Sequence, residues 1–146
     1  MERLTLLGLP LDPVDMEEAL KRIGGFLQEE RTHQVVTLNP EIAVRAQEDE
    51  ALRRAVLEAE LVTPDGVGIL WAVRRLHGLS LKERVTGIDL TLALLRRFPG
   101  VRVYLLGGTP GVAEGAAREV ERLGGVVVGL HHGYFDDAET EPLLGA

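Results

Sequence analysis

Three polar segments of this sequence each follow an apolar run directly, and they hold residue types that can do chemistry. The first, residues 38–41, contains Asn39; the second, residues 63–66, contains Asp65; and the third is the glycine-rich stretch 107–111. Open α/β sheets bind their ligands beyond the carboxyl ends of the strands, which is where such segments lie. The convergence of the three segments is the main functional signal in the residues themselves.

Asp65 is the candidate general base. It lies between Pro64 and Gly66 at the expected start of a helix, where a partly desolvated carboxylate can accept a proton. The alternative is structural, because Asp-Gly is a common turn and aspartate is a common helix cap. The local residues alone favour the structural role.

Asn39 and Thr37 are candidates for contact with a ligand. Asn39 directly follows the apolar run 34–38 and precedes Pro40, so its amide can hydrogen-bond a sugar or base, or simply cap the following helix. Thr37 alternates with apolar neighbours and can equally be an ordinary strand residue.

The stretch 107–111 reads Gly-Gly-Thr-Pro-Gly and lies between a predicted strand and a predicted helix. The backbone amides of this stretch, including those of Gly107 and Gly108, can bind a diphosphate at the helix N-terminus. It is not the dinucleotide fingerprint, because Thr109 replaces the second glycine, and no Lys-Ser/Thr pair follows to make a P-loop. We expect anion binding here without a named nucleotide.

Arg84, Thr86 and Asp89 form a fourth candidate group. Arg84 can hold a phosphate in a bidentate way, whereas Thr86 and Asp89 have the spacing of a helix cap. The stretch from Arg74 to Arg102 contains seven basic and two acidic residues, in a chain whose net charge is −7. The negative charge of the whole chain disfavours general nucleic-acid binding, whereas the local basic stretch suits a small anion such as a nucleotide diphosphate. Each arginine can also belong to a solvated helix face.

Residues for metal or acyl-enzyme chemistry are scarce. The 146-residue chain has no cysteine and a single serine, Ser80. His131 and His132 are adjacent and would point in opposite directions on a strand. Because no Asp-x-Asp motif lies in a suitable loop, we expect neither a metal nor another cofactor.

The elements that must position these residues alternate between strand and helix. We predict strands at 4–7, 9–11, 34–38, 61–63, 101–106 and 126–130. Helices are predicted from Asp12-Pro13, twice after Asn39-Pro40, at 69–76, at 88–98 and after residue 111. The pattern predicts an α/β fold, with a mostly parallel Rossmann-like sheet and helices on both faces, in one domain over residues 1–146.

The sequence also bears on where the protein works. No apolar run approaches the ~18 residues of a transmembrane helix, and the first residues do not resemble a signal peptide. We therefore expect a cytoplasmic location. Asn39 is the only asparagine, which fits a thermophile.

Five segments, in this order and spacing, resemble the WecG/TagA/CpsF family of bacterial glycosyltransferases, which includes the teichoic-acid N-acetylmannosaminyltransferases. The resemblance runs from about Leu6 to Phe135. The segments are Thr-Leu-Asn-Pro-Glu at 37–41, Val-Thr-Pro-Asp-Gly-Val-Gly at 62–68, Glu-Arg-Val-Thr-Gly-Ile-Asp-Leu at 83–90, Val-Tyr-Leu-Leu-Gly-Gly at 103–108 and His-Gly-Tyr-Phe at 132–135.

The resemblance implies a metal-independent, inverting transfer of N-acetylmannosamine or a related hexose. The donor would be a UDP-sugar and the acceptor a lipid-linked sugar diphosphate at the inner membrane face, in cell-wall polysaccharide biosynthesis. It implies that Asp65 is the base, that Thr37 and Asn39 line the same pocket, and that Arg84 assists at the phosphates. The substrate-binding residues we expect are Asn39, Pro40, Gly66, Thr86, Asp89, Gly107 and Gly108.

Family members continue past the region matching Phe135 with further strands and helices and a basic tail that docks on the membrane, whereas this sequence stops at Ala146. The alternative is therefore a truncated nucleotide-sugar-binding module without turnover. We expect unpaired sheet edges to favour a homo-oligomer. We expect peripheral membrane association only when the later part is present, and weak membrane binding by the acidic chain alone.

Overall fold

A computed structural model describes residues 2–106 and 112–131 of the chain. The chain divides into two compact units, Met1–Leu90 and Thr91–Ala146, and each is described by itself. The single domain expected over residues 1–146 stays a prediction.

Twelve elements alternate along the described residues in the way the sequence predicts. In chain order they are β1 (Leu4–Leu6), β2 (Leu9–Leu11), α1 (Met16–Phe26), β3 (Val35–Leu38), α2 (Pro40–Arg45), α3 (Glu50–Glu58), β4 (Leu61–Pro64), α4 (Val67–His77), α5 (Gly87–Arg97), β5 (Arg102–Leu106), α6 (Val112–Arg122) and β6 (Val126–His131).

The described strands pair two by two. β1 and β2 form an antiparallel hairpin whose two turn residues, Leu7 and Gly8, both have positive φ, as a tight hairpin turn requires. β3 pairs with β4 in parallel, and β5 pairs with β6 in parallel. The predicted α/β class is confirmed. Because these pairs form three two-stranded sheets among the described residues, the larger Rossmann-like sheet stays a prediction.

The core of the first unit forms around the parallel pair. All four residues of β4 are buried, as expected of a strand covered on both faces. Complete burial of a leucine or valine side chain contributes about 1.5–3 kcal/mol. The buried apolar side chains that pack together here are those of Leu6, Leu9, Leu11, Leu38, Ala43, Ala46, Val56, Ala59, Val62, Ile69 and Val73.

The start of α1 corrects one expectation, because the sequence predicts that this helix begins at Asp12-Pro13 with Asp12 as its cap. The helix begins at Met16 and its cap is Asp15, whose carboxylate accepts a hydrogen bond from the Glu18 N–H. Asp12 is buried and binds elsewhere, with its carboxylate accepting hydrogen bonds from Arg3 and from the Val62 N–H. Both aspartates have a cap-forming side chain, and tertiary contacts decide between them.

The second unit packs α6 and the later part of α5 against its parallel pair. Leu95, Val101 and Val120 form its small core. Gly125 permits this packing, because a Cβ there would lie 2.5 Å from a Leu95 methyl carbon and 2.7 Å from a Val120 methyl carbon.

No helix within residues 2–106 and 112–131 has both the length and the apolar character needed to cross a membrane.

Candidate functional site

The parallel register of β3 and β4 brings two of the predicted segments together. Thr37 lies opposite Thr63 and Leu38 opposite Pro64, so Asn39 and Asp65 leave adjacent strands at the same level. The Asp65 N–H donates to the Leu38 carbonyl oxygen at 2.9 Å, which continues the pairing by one residue. Asn39 and Asp65 therefore meet at the carboxyl edge of the pair.

The Asp65 side chain is not used in the way its local sequence favours. The N-cap of α4 is Gly66, and no side chain caps this helix. Among the described residues, none donates a hydrogen bond to the Asp65 carboxylate, which is partly buried. The helix-cap alternative is therefore not observed, and the carboxylate can accept a proton or a hydrogen bond from a ligand.

Asn39 does cap a helix. Its Oδ1 accepts a hydrogen bond from the Ile42 N–H at 2.8 Å, and Pro40 occupies the first position of α2, where its lack of an N–H costs nothing. The cap uses only the oxygen of the amide. Its nitrogen retains the capacity to donate to a ligand, so capping and ligand contact are compatible at this residue.

A third segment lies beside the end of β4. The Val85 N–H donates to the Pro64 carbonyl oxygen at 2.6 Å, and the Thr63 hydroxyl donates to the Val85 carbonyl oxygen at 3.2 Å. Arg84 immediately precedes this anchored residue and is exposed. Arg84, the residue predicted to contact a phosphate, is thus the neighbour of a residue that is hydrogen-bonded to the end of β4, just before Asp65.

Thr86 and Asp89 behave as their spacing predicts. The Thr86 hydroxyl oxygen accepts a hydrogen bond from the Asp89 N–H at 3.1 Å, at the beginning of α5. The Asp89 side chain is exposed. The capping role of Thr86 is confirmed, whereas a capping role for the Asp89 side chain and substrate contact by either residue stay predictions.

Glycines allow the helix beginnings to approach one another. A Cβ on Gly68 would lie 2.9 Å from Pro40 Cγ, and a Cβ on Gly66 would lie 3.5 Å from Pro40 Cδ. A Cβ on Gly87 would lie 3.4 Å from the Thr37 hydroxyl oxygen. The start of α4 therefore packs closely against the first residue of α2, and the start of α5 packs against Thr37 in β3.

Glu83 and Lys82, for which the sequence predicts no role in the site, connect the loop that carries Arg84 to the beginning of α1. Glu83 Oε1 accepts a hydrogen bond from the Met16 N–H at 2.9 Å, and Lys82 Nζ lies 3.5 Å from Asp15 Oδ2. The Glu18 N–H, more than Lys82, lowers the pKa of Asp15. Because Glu83 lies 67 residues from Met16, no local pattern could have revealed this anchor.

The predicted basic stretch is dispersed. Arg74 and Arg75 lie in the last turn of α4, and Asp65 precedes the first. An 11-residue helix is about 16 Å long, so this pair lies far from the strand ends. Within the first unit, Arg84 is the arginine of this stretch that lies beside the strand ends.

Part of the predicted site is not among the described residues. Gly107 and Gly108, with the rest of stretch 107–111, fall outside the described residues, as does His132. Within residues 2–106 and 112–131, no three His, Asp or Glu side chains form a group that could hold a metal ion. The predicted site residues that the structure describes are therefore Thr37, Asn39, Pro40, Asp65, Gly66, Arg84, Thr86 and Asp89.

Comparison with known proteins connects this geometry to a family. The model of the WecG/TagA/CpsF family of glycosyl transferases matches residues 4–145. The chain belongs to this family. The resemblance seen in the five sequence segments is thereby confirmed.

A curated relative within the WecG/TagA/CpsF family comes from Staphylococcus aureus (strain NCTC 8325 / PS 47). It is an N-acetylglucosaminyldiphosphoundecaprenol N-acetyl-β-D-mannosaminyltransferase, 30% identical over 139 residues. The match covers 92% of this chain and 54% of the relative, so the chain spans about half the length of that protein.

Proposed function

We propose that this chain carries the catalytic aspartate of a hexosyltransferase that acts in cell-wall polysaccharide biosynthesis. The donor is a UDP-sugar, with N-acetylmannosamine or a related hexose as the transferred group. The acceptor is a sugar diphosphate linked to a lipid. The family of the chain and the activity of its Staphylococcus aureus relative support this reaction class.

The observation that carries the proposal is that the backbone at Asn39, at Asp65 and next to Arg84 comes together at the carboxyl ends of β3 and β4. The three residues come from segments 26 and 19 positions apart, and backbone hydrogen bonds from Asp65 and Val85 hold those segments in place. A carboxylate, an amide and a guanidinium at one strand edge are suited to a hydroxyl nucleophile and an anionic leaving group.

In the proposed reaction the Asp65 carboxylate takes the proton from the acceptor hydroxyl. The hydroxyl oxygen attacks the anomeric carbon from the face opposite the diphosphate, so the configuration inverts. The bond from that carbon to the diphosphate oxygen breaks, and UDP leaves with the electron pair. The positive charge of Arg84 stabilises the developing negative charge on the diphosphate, and the Asn39 amide nitrogen orients the sugar.

The setting of the reaction follows from the acceptor. A lipid-linked acceptor resides in a membrane, so we propose that the protein acts from the cytoplasm at the inner membrane face. Substrate contacts by Pro40, Gly66, Thr86, Asp89, Gly107 and Gly108 belong to the same proposal.

The role of Asp65 is tested by the variant Asp65→Asn. We expect turnover to fall about 10²–10⁴-fold while donor affinity changes little, because the amide keeps the shape of the carboxylate and cannot accept the proton. Transfer from UDP-N-acetylmannosamine to a short-chain lipid-linked N-acetylglucosamine diphosphate is measured by UDP release. Donor affinity is measured by calorimetry.

Asp49→Asn is the matched control. Asp49 caps α3, and asparagine caps a helix about as well, so this variant should retain full turnover. Normal turnover by Asp65→Asn would refute the assigned role. Donor binding by the unmodified chain, without any transfer, would instead support a nucleotide-sugar-binding module.

A further inference from the structure

The outward face of α4 exposes large apolar side chains to solvent. Val67 and Trp71 are 69% and 66% exposed, the highest values among the large apolar residues described. Ile69 and Val73, on the opposite side of the helix, are 2% and 0% exposed and pack into the core. The helix is therefore apolar on both its buried and its exposed side.

The same outward face ends in positive charge. Val67, Trp71, Arg74 and Arg75 have the i, i+4, i+7 and i+8 spacing of one helix face, and both arginines are exposed. The helix contains no acidic residue, although the chain as a whole carries −7. Neither arginine forms an ion pair with an acid in the described part of the chain. We call these four residues the α4 face.

The α4 face begins next to the candidate site and runs away from it along the helix. The helix begins two residues after Asp65, and the ring Nε2 of His77, at its last turn, lies 2.8 Å from the Thr5 carbonyl oxygen. A surface fixed at both ends can hold the strand ends at a defined orientation toward whatever it contacts.

We propose that the α4 face docks on an anionic lipid bilayer. Tryptophan favours the boundary between the acyl chains and the headgroups, and arginine binds lipid phosphates. The proposal relies on the proposed function only in that a lipid-linked acceptor must be reached from a membrane surface. Docking through α4 places the beginning of the helix, and hence Asp65, close to the headgroups.

The charges also decide against a second copy as the partner. A symmetric contact between two α4 faces would bring four arginines to one interface without an acid on either helix. Burying unpaired charges is strongly unfavourable. An anionic bilayer supplies the phosphates that these arginines lack. Because the rest of the chain is acidic, we expect the contact to be modest and sensitive to salt.

Trp71 is the only tryptophan of the chain and therefore reports on this face alone. At low salt, vesicles of phosphatidylglycerol and phosphatidylcholine should shift the Trp71 emission to shorter wavelengths, and brominated acyl chains should quench it. Pure phosphatidylcholine vesicles should do neither. No nucleotide sugar and no sugar acceptor are present, so the result is independent of transfer.

The double variant Arg74→Gln/Arg75→Gln should weaken binding to anionic vesicles about thirty-fold, from about 1 kcal/mol per arginine. Arg96→Gln/Arg97→Gln is the matched control, because this exposed pair also ends an 11-residue helix, α5. Val67→Ser should weaken binding as well, whereas Val44→Ser, at a valine that is 64% exposed on α2, should not.

Three results would overturn the proposal: an unchanged Trp71 emission with anionic vesicles, an equal loss from both arginine pairs, or an emission shift that depends on protein concentration without lipid. The last result would assign the α4 face to a second copy. Transfer to a short-chain, water-soluble acceptor tests the proposed function without a bilayer, so either proposal can fail while the other stands.

Discussion

The Asp12 carboxylate is held by groups from three parts of the chain. Arg3 donates to both of its oxygens, at 2.9 and 3.0 Å, and the Val62 N–H donates to Oδ2 at 2.8 Å. Arg22 lies 3.5 Å from Oδ1. Burial raises the pKa of Asp12, but the hydrogen bonds from Arg3 and Val62 and the charges of both arginines outweigh it, so the pKa is lowered. The ionised carboxylate therefore ties β4 to the residues after β2.

This network should make the stability of the fold depend on pH. Since the pKa of Asp12 is lower in the folded state, its contribution is complete above the unfolded value of about 3.9 and is lost as the pH falls through the folded value. We expect Asp12→Asn to lower the free energy of unfolding at pH 7 by about 1–3 kcal/mol. The difference from the unmodified protein should shrink as the pH falls below 4. Urea unfolding between pH 3 and pH 7 measures both effects.

The control for Asp12 is again Asp49→Asn, which removes one negative charge and keeps a helix cap. It should change the free energy of unfolding little at any of these pH values. A loss of stability by Asp12→Asn that stays constant down to pH 3 would contradict the proposed link to ionisation.

At the level of the elements, the contact between Pro40 and the first turn of α4 fixes how two helices start at the candidate site. Gly66 has φ of 102°, a conformation that favours glycine, and turns the chain from Asp65 into α4. Gly68 lies within the helix and adjoins the Pro40 ring. Gly66 thus allows the turn into α4, and Gly68 allows the helix to approach Pro40 closely.

The close approach predicts an unusual result for Gly68→Ala. Alanine normally stabilises a helix by up to about 1 kcal/mol relative to glycine. At residue 68 its Cβ would meet the stiff proline ring at 2.9 Å, so we expect a net loss of about 1–3 kcal/mol. Urea unfolding gives the sign directly.

Gly25→Ala is the matched control, because Gly25 also lies in a helix, α1, and nothing lies within 4 Å of its added Cβ. This variant should be as stable as the unmodified protein, or more so. If Gly68→Ala were as stable as Gly25→Ala, the packing of α4 on Pro40 would not be tight.

For the molecule as a whole, we predict a homo-oligomer. Beyond the α4 face, exposed apolar side chains remain on other elements of the first unit, including Val44 on α2 and Leu57 on α3, at 64% and 48%. Such side chains are available to an interface between copies, and symmetric dimers are the commonest assembly. Light scattering over a range of protein concentrations measures the mass in solution. A monomer at all concentrations would refute the prediction.

Caps and turns that depend on neighbouring residues could be predicted from the sequence. Thr86 caps the N–H three residues later, and this spacing alone indicated the start of α5. The sequence indicates helix capping as one role of Asn39, which the structure confirms, and the apolar run before Asp65 indicates the strand end that is observed. These features can be predicted from the sequence because every group involved lies within a few positions along the chain.

Other features depended on contacts between distant residues. Asp12 and Asp15 are equivalent as caps in the local sequence, and the choice between them came from Arg3 and Val62. The register of β3 and β4 brought Asn39 beside Asp65, and the Met16 N–H anchored Glu83. Helical periodicity predicts which residues of α4 share a face, but the exposure of Trp71 follows from which side the core covers. Hydrogen bonds and burial between distant segments form only when the whole chain packs, so tertiary structure alone established them.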